Sequence, residues 1–145
     1  MEKSESAYNL FDWWKKVVFQ NYANFSGRAR RAEYWNFVLV NLIVYIPLYI
    51  IFIGGILNES EPIGLLGIGV LGLFALGMLL PGLGVLVRRL HDLNKSGWNF
   101  LIYFIPIAGP IIMLVWLCTE GNSYPNNYGD DPKNSGIPEL EFTGQ

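Results

Sequence analysis

Apolar and polar residues follow one another along this chain in long blocks, not at the spacing of a single helix face or strand. Three apolar blocks, Asn36 to Leu57, Pro62 to Val87 and Trp98 to Cys118, contain no Lys, Arg, Asp, Glu or His. Each is near or above the roughly 20 residues that cross a bilayer at about 1.5 Å per residue. Ahead of them, Leu10, Phe11, Trp14, Val17 and Val18 share one helical face and alternate with Asp12, Lys15 and Lys16. That pattern suits an amphipathic helix lying in the membrane interface, or one packed on the spans from the same side. The predicted fold is all-α and integral to the membrane: three transmembrane helices preceded by an amphipathic interfacial helix.

The expected segments are a disordered N-terminus (1–7), the interfacial helix (8–24), a three-span membrane domain (25–133, spans about 36–57, 62–87 and 98–118) and a disordered tail (134–145). The stretch "NSYPNNYGDDPKNSGIPELEFTGQ" is rich in Asn, Gly, Pro and acid and has no period, so it reads as turns and then a disordered end. In the third block, "FIPIAGPII" carries Pro106, Gly109 and Pro110. These predict a kinked span; a re-entrant hairpin is the alternative, and it would bring the tail back to the side it left.

Composition sharpens the membrane reading. The chain is 52% hydrophobic and only 15% charged, against an ordinary charged share of about 25%. A net charge of −2 argues against nucleic acid as a partner, because counterion-driven binding needs a basic surface. With one cysteine, Cys118, and one histidine, His91, neither an internal disulfide nor a metal-ligand set is signalled, and no cofactor is expected. "MEKSESAYNL" lacks the parts of a removable signal peptide, so the spans themselves direct insertion. Of ten Lys and Arg residues, six precede the first block, three lie between the second and third, one follows, and "NESE" (58–61) has none. Basic residues are retained in the cytoplasm. A three-span chain therefore has its N-terminus in the cytoplasm and its C-terminus outside.

Two polar clusters flank the spans. In "FSGRARRAEYW" the arginines orient the chain and Tyr34 and Trp35 form part of an aromatic belt, together with Trp13, Trp14 and Trp98. Arg28 and Arg31, one helical turn apart, also suit a phosphate, which the planar guanidinium matches. In "VRRLHDLNKSGW", Arg88 and Asp92 stand at helix-pair spacing, and Arg88 or Arg89 is in reach of Glu33 if the first two spans pack side by side. Glu33 and Asp92 are thus assigned to structural ion pairs. Arg28, Arg31, Arg88, Arg89 and His91 are the candidates for binding a lipid headgroup or partner. No Ser/His/Asp nucleophile arrangement and no phosphate loop is present, so no catalytic residue is assigned. The second span has seven glycines, none four apart. Close helix packing is expected there without the small-xxx-small dimer motif.

Taken in order, "FSGRARRAEYWNF", "VRRLHDLNKSGW" and "CTEGNSYPNNYGDDPK" resemble the small bacterial inner-membrane proteins grouped as domain of unknown function 805. The likeness runs from about Phe19 to Lys133. It implies a multi-pass bacterial plasma-membrane protein and specifies no activity. A long acidic first loop and an extended tail depart from the pattern, both where loops tolerate insertion. The expected function is non-enzymatic binding of anionic phospholipid or a membrane partner through the cytoplasmic arginine-aromatic face. An oligomeric small transporter or channel is the alternative, and an interfacial enzyme using His91 and Asp92 the third reading. Expected partners are the bilayer and either a second copy or another membrane protein.

Overall fold

The computed structural model describes residues 5–133, so the proposed disorder of residues 134–145 falls outside the described part, as does most of that of 1–7. After one 3-10 turn (Glu5–Ala7) come α1 (Leu10–Lys15), continued by a π turn (Lys16–Gln20), then α2 (Arg31–Leu57) and α3 (Glu61–Asp92). A 3-10 segment (Gly97–Phe104) and α4 (Ala108–Cys118) complete the order, and no strand occurs among the described residues.

Asn9 starts α1 through a reciprocal cap: its side chain accepts from the Asp12 N–H at 2.9 Å, and the Asp12 carboxylate accepts from the Asn9 N–H at 3.1 Å. The face that α1 and its π turn cover matches the expected one except at Phe11. Trp13, Val17 and Val18 are buried, with the two valines packed among Phe37 and Val85, whereas Phe11 and Phe19 are exposed. Leu10, Trp13, Trp14, Val17 and Val18 are the covered apolar positions and keep helical spacing, so Trp13 takes the place expected of Phe11. This element is packed on α2 and α3.

The 27 residues of α2 and 32 of α3 correspond to about 40 and 48 Å of helix. Both are long and apolar enough to cross a membrane, and only 17% and 6% of their most apolar stretches are buried within the chain. The core helix of a soluble protein would be mostly covered. They form an antiparallel pair joined by Asn58–Ser60, where Glu59 takes a positive φ of 52°. Next to that turn the backbones touch. A methyl on Gly67 would sit 2.7 Å from Phe52 Cα, and one on Gly55 would sit 2.7 Å from Gly64 Cα. Close approach thus pairs glycines on different helices, a relation invisible to a search for four-residue spacing within one.

The third apolar block departs from the expected kinked span. It breaks into eight 3-10 residues and eleven α-helical ones, each arm about 16 Å long, against about 30 Å of hydrocarbon. Between the arms Ile107 adopts a φ of 64°. A side chain on Gly109 would run into the carbonyl of Ile102, so this glycine lets the arms fold against each other. Leu90 of α3 packs with Met113 and Leu117, which brings the end of α4 back beside the end of α3. The chain after α4 consequently lies at the same end of the helix pair as Arg28 and Arg88.

Candidate functional site

Where α2 begins and α3 ends, the helix pair holds a buried ionic cluster. Glu33 and Arg89 are fully buried; Arg88, Asp92, Arg28, Asp131 and His91 are at most 9% exposed. Arg88 NH1 donates to Glu33 Oε1 at 2.5 Å, and Lys16 Nζ reaches Glu33 Oε2 at 2.8 Å. The first turn of α2 thereby receives one cation from α3 and one from the N-terminal segment.

Asp92 has its own pair of cations. Arg28 Nε donates to Oδ1 at 2.9 Å, and Arg89 NH1 donates to Oδ2. The rest of both guanidinium groups is taken by carbonyls of the last turn of α4 and of the segment after it. Arg28 bonds the carbonyls of Tyr124 at 2.9 Å, Gly129 at 3.2 Å and Asn122, and Arg89 bonds those of Thr119 and Leu117. Two glycines with positive φ, Gly27 at 80° and Gly129 at 124°, turn their carbonyls inward; a side chain would be strained at either. Gly27 presents its carbonyl to His91 Nδ1 at 3.1 Å. The backbone N–H of Asn122 donates to the Asp92 carbonyl at 2.9 Å, and the Asn126 side chain donates to that of His91 at 2.9 Å. His91 stacks on Tyr128 with centroids 3.8 Å apart and planes 5° from parallel.

The candidate binding residues therefore divide. Arg28, Arg88, Arg89 and His91 converge on this buried cluster, while Arg31 stays at its rim with 46% of its side chain exposed, bonded to Glu120 and the Cys118 carbonyl. Glu33 and Asp92 sit at the two centres of negative charge. Among the aromatics, Trp13 is buried, Trp14 is partly buried, Tyr34 packs on both apolar clusters, Trp35 donates to the Leu117 carbonyl at 3.3 Å, and Trp98 is 74% exposed. Burial opposes the charge of Lys16, yet Glu33 and Glu5 outweigh it and hold the ammonium above its ordinary value. At the rim, a hydrogen bond from Lys133, helped by Arg31, holds the Glu120 carboxyl below its ordinary range.

Sequence reading missed the carbonyl strap of 117–132, Asp131 and the role of Lys16. A signal existed: the two arginine motifs hold five arginines and two acids, too few anions to satisfy so many buried donors. A Gly/Asn/Pro-rich turn segment is the remaining source of acceptors. Among the described residues no group of His, Cys, Asp and Glu is placed to hold a metal.

The sequence model of the family described as Protein of unknown function (DUF805) matches residues 22–130, and the chain belongs to that family. It is 45% identical over 121 residues to inner membrane protein YhaI of Escherichia coli (strain K12), covering 83% of this chain and 95% of the relative. With inner membrane protein YhaH of the same strain it shares 40% over 126 residues, 84% and 97% of the two chains. No solved structure matches. The arginine cluster and most of its strap lie within the matched range; Lys16 and Glu5 lie before it.

Proposed function

We propose that the chain is a non-enzymatic bacterial inner-membrane protein that binds anionic phospholipid at its basic, aromatic end. It crosses the bilayer twice, and its third apolar block enters the cytoplasmic leaflet as a hairpin. The observation that carries this reading is one-sidedness. With α4 returning beside α3, all nine described Lys and Arg residues fall at one end of the helix pair, and the opposite turn holds only Glu59 and Glu61. Basic segments stay in the cytoplasm, and anionic lipid on that leaflet attracts them. The apolar outer face of the hairpin, including Phe104, Ile107, Ile111 and Leu114, supports burial in lipid.

The internal partners of Arg28, Arg88 and Arg89 assign these residues to the platform and leave headgroup contact to Arg31 and Lys15, which are exposed, flanked by Trp35. The non-enzymatic reading is supported by His91 and Asp92. The histidine faces a carbonyl and the aspartate faces two arginines, so the two do not act as an acid-base couple. Thermal unfolding in detergent with added phosphatidylglycerol or phosphatidylcholine tests the proposal. Phosphatidylglycerol should stabilise the wild type more, with the difference shrinking in Lys15→Ala/Arg31→Ala and at high salt. Equal stabilisation by both lipids would overturn it.

A further inference from the structure

Beside the cluster, on the outer face of α3, is a cavity of about 430 Å³. Leu83, Val87 and His91 line it from successive turns, Phe25 and Trp98 flank it, and Tyr128 closes its polar end. The nine residues from Leu83 to His91, eight steps of helical rise, span about 12 Å along the helix. Polarity thus changes along the helix axis, with carbon toward the hydrocarbon and the imidazole toward the headgroups. A lipid lying in the leaflet has the same gradient in the same direction.

The imidazole fixes the chemistry of the polar end. A carbonyl only accepts, so the contact of Nδ1 with the Gly27 carbonyl at 3.1 Å places the proton on Nδ1. In the neutral ring Nε2 is then an acceptor, and among the described residues it has no partner. An occupant that takes the place of water on this atom brings a donor. The surplus of Lys and Arg at this end disfavours an ammonium donor and favours a hydroxyl.

Resting on the lipid-binding reading and narrowing it, we propose that this cavity holds one membrane lipid with a hydroxylated headgroup. Its chain runs along Leu83 and Val87, and a headgroup hydroxyl donates to His91 Nε2. Native mass spectrometry of the delipidated full-length chain, titrated with dioleoyl phosphatidylglycerol or its headgroup O-methylated analogue, tests this. Wild type should retain one phosphatidylglycerol. The analogue should bind about three- to tenfold more weakly, the worth of one hydrogen bond, and Leu83→Trp, which fills the cavity, should lose at least about tenfold. Equal binding of the two lipids, or undiminished binding to Leu83→Trp, overturns the cavity assignment. The broader reading fails separately, if Lys15→Ala/Arg31→Ala leaves the anionic-lipid preference unchanged. A wild-type measurement covers the case in which Leu83→Trp does not fold. Phosphatidylglycerol carrying a photoreactive acyl chain should cross-link mainly to Phe25 and to 83–87, and cross-links spread evenly over α2 and α3 would overturn the assignment.

Discussion

Replacing Glu33 by methionine should destabilise the protein far more than replacing its partner Arg88 in the same way. The Glu33 carboxylate is 1% exposed and neutralises both Arg88 at 2.5 Å and Lys16 at 2.8 Å. Without it Lys16 still has Glu5 at 2.6 Å, but the Arg88 guanidinium, 3% exposed, has no other side-chain acceptor among the described residues and becomes an uncompensated buried charge. Breaking a buried pair in that sense costs about 3 to 5 kcal/mol. Arg88→Met leaves Glu33 paired with Lys16 and also removes Nε and NH2, two buried donors without a partner. Each such donor is a liability of about 1 to 3 kcal/mol, so the net cost should be about 0 to 2 kcal/mol. The double variant removes the orphaned charge, and the sum of the single costs should exceed its cost by on the order of 2 kcal/mol. Unfolding in micelles by SDS titration, followed by tryptophan fluorescence, reads all four proteins. Additivity within about 0.5 kcal/mol, or an Arg88→Met protein less stable than Glu33→Met, would refute the assignment of charges.

Cysteines at Ser60, Ser96 and Ser123 in a Cys118→Ser background should react with an impermeant thiol reagent in intact cells at position 60 only; labelling at 123 would restore a third span. Gly55→Ala places a methyl 2.7 Å from Gly64 Cα and should cost about 1 to 3 kcal/mol in thermal unfolding, whereas Gly72→Ala, in open space, should be neutral or stabilising. Glu120 is held below its ordinary pKa of 4.5 by Lys133 and Arg31. Its contribution is therefore present above that value and lost as pH falls through the lowered one. A carboxyl titration by NMR should show the midpoint below 4.5, rising in Lys133→Ala, and no movement in that variant would contradict the clamp.

The two long helices and the basic bias were legible because hydropathy and charge are properties of contiguous residues. The ends of α2 and α3 were legible too, since only a short turn separates the blocks and places Glu33 beside Arg88. The third block was ambiguous for a physical reason. Its length permits a span, and only the positive φ of Ile107 and the contact of Gly109 with the Ile102 carbonyl close it into a hairpin. Proline and glycine announce a break there without its direction. The excess of arginines over acids announced the need for a strap, but not which atoms form it, because its acceptors are backbone carbonyls, which every residue has. What distinguishes Gly129 or Asn122 is where the turn aims them.

These observations also bear on why so apolar a chain keeps so many arginines. Lipid tails are as apolar as leucine, so hydrophobicity does little to hold α2 against α3 within the bilayer. Near the Asn58–Ser60 turn the helices are held by the backbone contact of Gly55 with Gly64 and of Gly67 with Phe52. At the other end no glycine pair brings them together, and the Glu33 link to Arg88 joins them instead. Arg28 and Arg89 extend the same cluster to the strap. Arginines that, in the proposed topology, stay on the cytoplasmic side can thus serve as the clasp of the fold. A lysine in place of Arg28 would preserve the topological charge but could not span one carboxylate and three carbonyls with a planar fork. Arg28→Lys should therefore retain orientation in thiol labelling while exposing 119–133 to protease. Equal protection of that segment in both proteins would show that charge alone suffices.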